Sequence, residues 1–170
     1  LLTPHLKRLK LWLNIHIILL KIYYNKLTLD YTALILQTSL LVDVGLVVLI
    51  WLVQLIVYPS FTYYQPDNLF KWHQQYTTRL PFVVIPLMLS QLVLAIVAVF
   101  YEVNIINCCC LLIVLFLWIF TFTSFAPLHH KISEGNTNQS ILQLLIRRNW
   151  IRTFFWSFLF IIHLIAFISL

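Results

Sequence analysis

The chain has only two glycines, Gly45 and Gly135, a single methionine, Met88, and few charges: 9% of its 170 residues are Asp, Glu, Lys or Arg. Soluble domains carry about a quarter charged residues, so this composition leaves no polar shell for a water-facing globule. Two isolated glycines exclude the glycine-rich loops that cradle phosphates, where the backbone must approach the ligand closely. Cysteine is confined to the consecutive Cys108, Cys109 and Cys110. Successive helical side chains diverge by about 100°, so these three cannot close on one metal ion. Nor can they form a disulfide framework, which needs separated partners. They read as small apolar filler near a helix start rather than as palmitoylation or redox positions.

What the chain does have is apolar surface: 62% of it is hydrophobic and 16% aromatic. A spanning helix needs about 20 largely apolar residues. Four segments supply that, at residues 33–57, 80–100, 107–126 and 151–170. Each has a physical boundary. Tyr58-Pro59 closes the first, because proline halts a helix. Pro81 opens the second in the first turn, where its missing N–H costs nothing. Pro127 ends the third. Arg147-Arg148-Asn149-Trp150 precedes the fourth, with cations and an aromatic ring at interface depth. The predicted fold class is all-α, an integral membrane four-helix bundle spanning residues 31–170. The net charge of +6 follows from topology and anionic headgroups, so membrane lipids are the expected partners and nucleic acid is not.

Residues 1–30 differ. "LKRLKLWLNIHIILLK" holds about ten uncharged residues between Lys10 and Lys21, too few to span. Charges at both ends and mixed Trp, Leu and Ile predict a helix lying on the membrane surface. A signal peptide is the competing reading, but no small-residue cleavage site follows the apolar run. With Leu1 first and Met88 the sole methionine, this stretch is expected to be a fragment, a processed end or an upstream extension.

Only a few residues around Glu102 connect the second and third spans. The other two connections, residues 58–79 and 127–150, hold nearly all the polar chemistry. With four spans, both must lie on the same side of the membrane. If the basic N-terminal stretch is set aside, the positive-inside rule puts them in the cytoplasm.

Polar groups inside a bilayer cost about 2.5–3.5 kcal/mol each near its centre, so Asp43, Gln91 and His163 each need a reason. Measured from the polar-loop face they lie roughly 16–22 Å deep at 1.5 Å per residue, similar enough to meet. Asp43 and Gln54 share one stripe of the first helix; Asn149, Arg152, Trp156 and His163 share one face of the fourth. Gln91 does not align with Arg79 on the second, where Pro86 can rotate the upper part. These groups either form a buried cavity with an Asp43–His163 proton-accepting pair or hydrogen-bond one another and pin the bundle register.

At the loop side stand Gln54, Tyr58, His73, Arg79, His129, His130, Asn149 and Arg152. Three histidines could supply a zinc site, but adjacent histidines diverge and no Cys or carboxylate is near. A bis-histidine haem would need ligands facing each other inside the membrane, and only His163 is that deep. No metal or other cofactor is predicted. Two arginines with neutral donors suit an anionic or carbonyl-bearing head. Phospholipid anchoring by interfacial Arg, Tyr and Trp150 is the alternative.

The segments "QLIVYP", "HQQYTTR", "PLM", "APLHHK" and "NWIRT", in that order, resemble a family of small four-helix bacterial integral membrane proteins with no established function. The resemblance runs from about Ala33 to Leu170. It carries over to Gln54, Tyr58, Pro59, His73, Arg79, Pro86, Met88, Pro127, His129, Asn149, Trp150, Arg152 and Thr153. The family pattern has an acidic residue where Gln91 stands, which speaks against proton transfer at that position here. More distantly, the closing pattern is similar to anthrone oxygenase-like membrane proteins, which implies cofactor-independent oxidation of a phenol.

Three functions compete. The first is binding of a lipid-like or small amphipathic ligand at a polar cavity on one membrane face. The second is an oxidoreductase for a quinone- or phenol-like substrate, with His73 or His129 as general base and Arg79 and Arg152 holding the oxyanion. The third is a proton-coupled carrier using Asp43 and His163, which would require association of copies of the chain, since one unit has no inverted repeat. In each, His129 is expected to face the cavity mouth while its neighbour His130 faces solvent.

Overall fold

The computed structural model describes the backbone of residues 4–169 and the side chains of residues 10–24, 26, 27 and 31–169. The chain divides into two units, residues 1–34 and 35–170. In the first, the described residues are helical, and Trp12 and His16 stack one turn apart with ring centroids 4.0 Å from each other.

The elements in chain order are α1 (Pro4–Leu52), α2 (Pro66–Arg79), α3 (Pro81–Tyr101), α4 (Ile105–Phe120), α5 (Ala126–Ser133) and α6 (Gln139–Ile168). Among the described residues, four helical runs, Tyr31–Tyr63, Pro66–Tyr101, Ile105–Ser133 and Gln139–Ile168, are long and apolar enough to cross a membrane. The chain is a multi-pass integral membrane protein with an all-α bundle, and each predicted span lies almost wholly within one of these runs.

The segments read as loops from sequence are mostly helical. α2 begins with Pro66 in its first turn and Asp67 beside the N-terminal dipole. α6 has 30 residues, about 45 Å at 1.5 Å each, well beyond the roughly 30 Å of hydrocarbon. Its extra turns bury Leu142, Leu145 and Asn149 at helical spacing. The polar connections therefore form a second, membrane-edge layer of the bundle rather than loose loops.

Two π-helical turns, Val53–Val57 and Thr121–Phe125, follow α1 and α4. Each is followed by one residue and then a proline, Pro59 and Pro127. Proline lacks the N–H for the α ladder and its ring crowds the preceding turn, and a widened turn relieves both. The first and third spans thus carry the same device, and it sets the rotation of Tyr58 and His129.

α5 ends in a Schellman motif. Gly135, at φ 89°, donates to the Ile132 carbonyl at 3.0 Å, and Asn136 donates to Lys131 at 3.0 Å. Between α3 and α4 the tight connection is fixed by Asn104, whose side chain accepts from the Asn107 N–H at 2.8 Å. The consecutive cysteines fan around the start of α4, with Cys110 buried and Cys109 exposed.

The core has two clusters. One, near the loop side, packs Tyr58, Phe61, Tyr76, Phe125, Ile132 and Leu145. The other, deeper, packs Leu46, Ile50, Met88, Val114, Trp156 and Leu159.

Candidate functional site

A cavity of about 340 Å³ opens where the two core clusters meet. Its walls are apolar, with Val53 and Phe125 from one cluster and Ile50, Met88 and Trp156 from the other. It lies beside the Leu80-Pro81 junction of α2 and α3 and the π turn after α4. Ile85 and Phe122 on its rim are more than half exposed on the outside of membrane-length helices. The cavity therefore reaches the apolar outer surface of these helices.

The polar end is built by Tyr58, Tyr76, His129 and Arg152. Tyr58 is fully enclosed and its hydroxyl lies 3.1 Å from His129 Nε2. The other His129 nitrogen, Nδ1, is 2.9 Å from Nε2 of the fully buried His73. His73 Nδ1 in turn is 3.2 Å from Ser133 Oγ. Four side chains from three helical runs thus form one hydrogen-bonded chain. The two imidazoles stack, with centroids 5.1 Å apart, and Phe61 meets the His73 ring edge-on. A nitrogen-to-nitrogen hydrogen bond needs one protonated and one bare nitrogen, so in this contact one ring donates and the other accepts.

Arg152 is 7% exposed and lies between two aromatic faces, 4.4 Å from the Phe125 centroid and 4.9 Å from that of Trp156. Among the described residues the ion pairs are His130–Glu134 and His163–Asp43, and neither involves Arg152. Cation–π contacts offset only part of the cost of burying a guanidinium.

Among the described residues, five buried side-chain polar atoms make no hydrogen bond, and four of them belong to residues that line this cavity: Tyr76 Oη, Trp118 Nε1, Thr121 Oγ1 and Arg152 Nε. Leaving such groups unsatisfied costs about 1–3 kcal/mol each, and four of the five belong to residues around one space. Trp and Arg nitrogens only donate, so the missing partner has to accept.

Deeper in the bundle, Asp43 joins the second polar group. Gln91 Nε2 donates to Asp43 Oδ1 at 2.6 Å, and His163 Nδ1 meets Asp43 Oδ2 at 2.6 Å. Trp156 Nε1 donates to Gln91 Oε1 at 3.1 Å. All of these but His163 are buried, and they tie α1, α3 and α6 together. Gln54 and Asn149 form a third pair, with Asn149 Nδ2 donating to Gln54 Oε1 at 2.9 Å.

The residues singled out from sequence therefore divide. Tyr58, His129 and Arg152 come together at the cavity, and His73 stands behind His129, outside the lining. Gln54 and Asn149 pair with each other, and Asp43, Gln91 and His163 meet deep in the bundle. Arg79 is exposed at the end of α2, away from the cavity lining. Trp150 is 47% exposed and packs edge-on against Trp51 on the outer surface. His130 is 72% exposed and pairs with Glu134 one turn on. Sequence reasoning missed Tyr76, Ser133, Trp118 and Thr121. Tyr76 follows His73 by three residues and Ser133 follows His129 by four, the spacing of one helix face. Trp118, Thr121, Phe125 and His129 are likewise spaced by three, four and four residues, a single helical stripe. Among the described residues no group of three or more His, Cys, Asp and Glu converges on a metal position.

No protein-family model, curated protein or solved structure matches this chain.

Proposed function

We propose that this protein takes an amphipathic molecule from the bilayer and holds it in the cavity between α3 and α4. The apolar part lies against Val84, Met88 and Phe122. The head bears hydrogen-bond acceptors, as a quinone or a phenol does, and meets Arg152, Tyr76, Trp118 and Thr121. The observation that carries this is the set of four orphaned polar atoms around one apolar space. The cavity's reach to the apolar outer surface of the helices supports loading from the membrane rather than from water. A location in a bacterial inner membrane with the polar connections cytoplasmic belongs to the same proposal.

Native mass spectrometry of the detergent-extracted protein tests it. A co-purified small amphipathic molecule, lost in Arg152→Met, is the expected result. Bulk phospholipid alone, bound equally by wild type and Arg152→Met, would overturn it.

A second reading is an enzyme acting on the same head, favoured by the hydrogen-bonded chain behind Tyr58. It requires turnover of a quinone or phenol that stops in His129→Gln while the ligand still binds.

A further inference from the structure

We propose that Tyr58, His129, His73 and Ser133 form a proton path from the cavity to the membrane surface, and that the ligand's head carries an ionisable hydroxyl, as a phenol or hydroquinone does. The proposal rests on the cavity reading above and adds the ligand's chemistry and the direction of proton flow.

Every member of the chain can both donate and accept at the atoms in contact. Consider the array in which Tyr58 donates to His129 Nε2, His129 Nδ1–H to His73 Nε2, and His73 Nδ1–H to Ser133 Oγ. Each link then holds one proton, and no link is left with two or none. The reversed array is equally complete, and it frees the Tyr58 hydroxyl to point into the cavity. Passing one proton along the chain converts the first array into the second.

The step balances as follows in atoms and charge. The ligand O–H bond breaks as Tyr58 Oη takes its proton, while the Tyr58 proton moves to His129 Nε2. The His129 Nδ1 proton moves to His73 Nε2, and the His73 Nδ1 proton to Ser133 Oγ. The original Ser133 hydroxyl proton leaves to water. What remains is a ligand oxyanion beside Arg152, whose charge no carboxylate among the described residues matches. No electron moves and no co-reactant beyond water is needed.

The two ends of the chain differ as a path requires. Tyr58 is enclosed at the cavity wall, whereas Ser133 is partly exposed at the end of α5, beside exposed Glu134. A purely structural histidine pair would need no surface-facing terminus. His130, the neighbour that faces solvent, is paired with Glu134 and lies outside the chain.

The test uses the full chain in lipid nanodiscs with an alkyl nitrophenol, whose phenolate is coloured and whose phenol is not. Stopped-flow mixing follows the phenolate colour together with a pH dye in the bulk solution. In wild type, one proton is expected to appear in solution per phenolate formed. His73→Gln, a residue outside the cavity lining, is expected to bind the probe within about twofold of wild type while slowing proton release by about tenfold or more. Should that variant fail to fold, the wild type in D2O provides the second measurement: proton release slows about twofold or more, while uptake of the probe's methyl ether does not. Unchanged release in His73→Gln, the same release rate in D2O, or a probe bound as neutral phenol would overturn the path and leave the cavity reading standing. A wild type that binds neither the nitrophenol nor its ether would overturn both.

Discussion

Asp43 and His163 stand 120 residues apart in the chain, and their side chains meet at 2.6 Å, with Gln91 completing the carboxylate's other oxygen. Asp43 is 1% exposed, so its partners replace the water it lost. Removing one partner of such a buried pair leaves the other unsatisfied. Asp43→Ala is expected to destabilise the bundle by about 3–5 kcal/mol. Asp43→Leu combined with His163→Phe should recover much of that loss. Thermal unfolding in detergent reads both, and a double variant as unstable as the single one would contradict the pairing.

Arg152→Met separates a ligand group from a structural one. Burying a guanidinium without a carboxylate is costly, so the empty protein should be as stable as wild type or more so. Affinity for an alkyl phenol should fall roughly ten- to a hundredfold, the worth of a charged hydrogen bond of about 1.5–3 kcal/mol. Unfolding curves and titration of the probe, run on the same preparation, check the two halves.

Arg79→Gln is the contrasting case. Its side chain is exposed and outside the cavity lining, so probe affinity should stay within about twofold, in the ordinary range of surface substitutions. A large loss in the same titration would place Arg79 at the head of the ligand.

Pro127→Ala returns an N–H to the third span and removes the reason for the π turn at Thr121–Phe125. If the turn reverts to α, the helix loses one inserted residue and His129 rotates by about 100° away from His73. Helix content by circular dichroism should be unchanged, while probe affinity falls by an order of magnitude or more, about 1.4 kcal/mol per tenfold.

The two glycines should behave differently. Gly135 sits at φ 89°, which costs a residue with a Cβ about 1–2 kcal/mol, so Gly135→Ala lowers the unfolding temperature. At Gly45 an added Cβ would meet only the tip of Leu87, at 3.2 Å, and that side chain can turn aside. Gly45→Ala should therefore cost less than Gly135→Ala in the same melt.

The spans and their class were legible because they depend on local quantities: apolar run length, proline position and the scarcity of charge. The shared face of Asn149, Arg152 and Trp156 was legible for the same reason, since helical periodicity is local. Residues 58–79 and 127–150 were read as loops because their composition is polar, yet tertiary packing of Leu69, His73, Leu142 and Leu145 makes them helical. The partners of each polar residue were not legible at all. Whether His73 meets His129 or Arg79 meets Arg152 depends on the rotation of separate helices, which the π turns set for Tyr58 and His129. Periodicity could place Arg79 at the membrane edge but could not turn it inward or outward.

The sequence by itself determined that this chain lives in a membrane, how many times its apolar runs can cross, and that its polar residues gather toward one side. Only the tertiary structure decided that Tyr58, His129, His73 and Ser133 form one hydrogen-bonded line and that Arg152 lies buried at the polar end of the cavity. The reason is physical: burial and hydrophobic length are sums along the chain, whereas a hydrogen bond between helices depends on rotations and register that no single segment specifies.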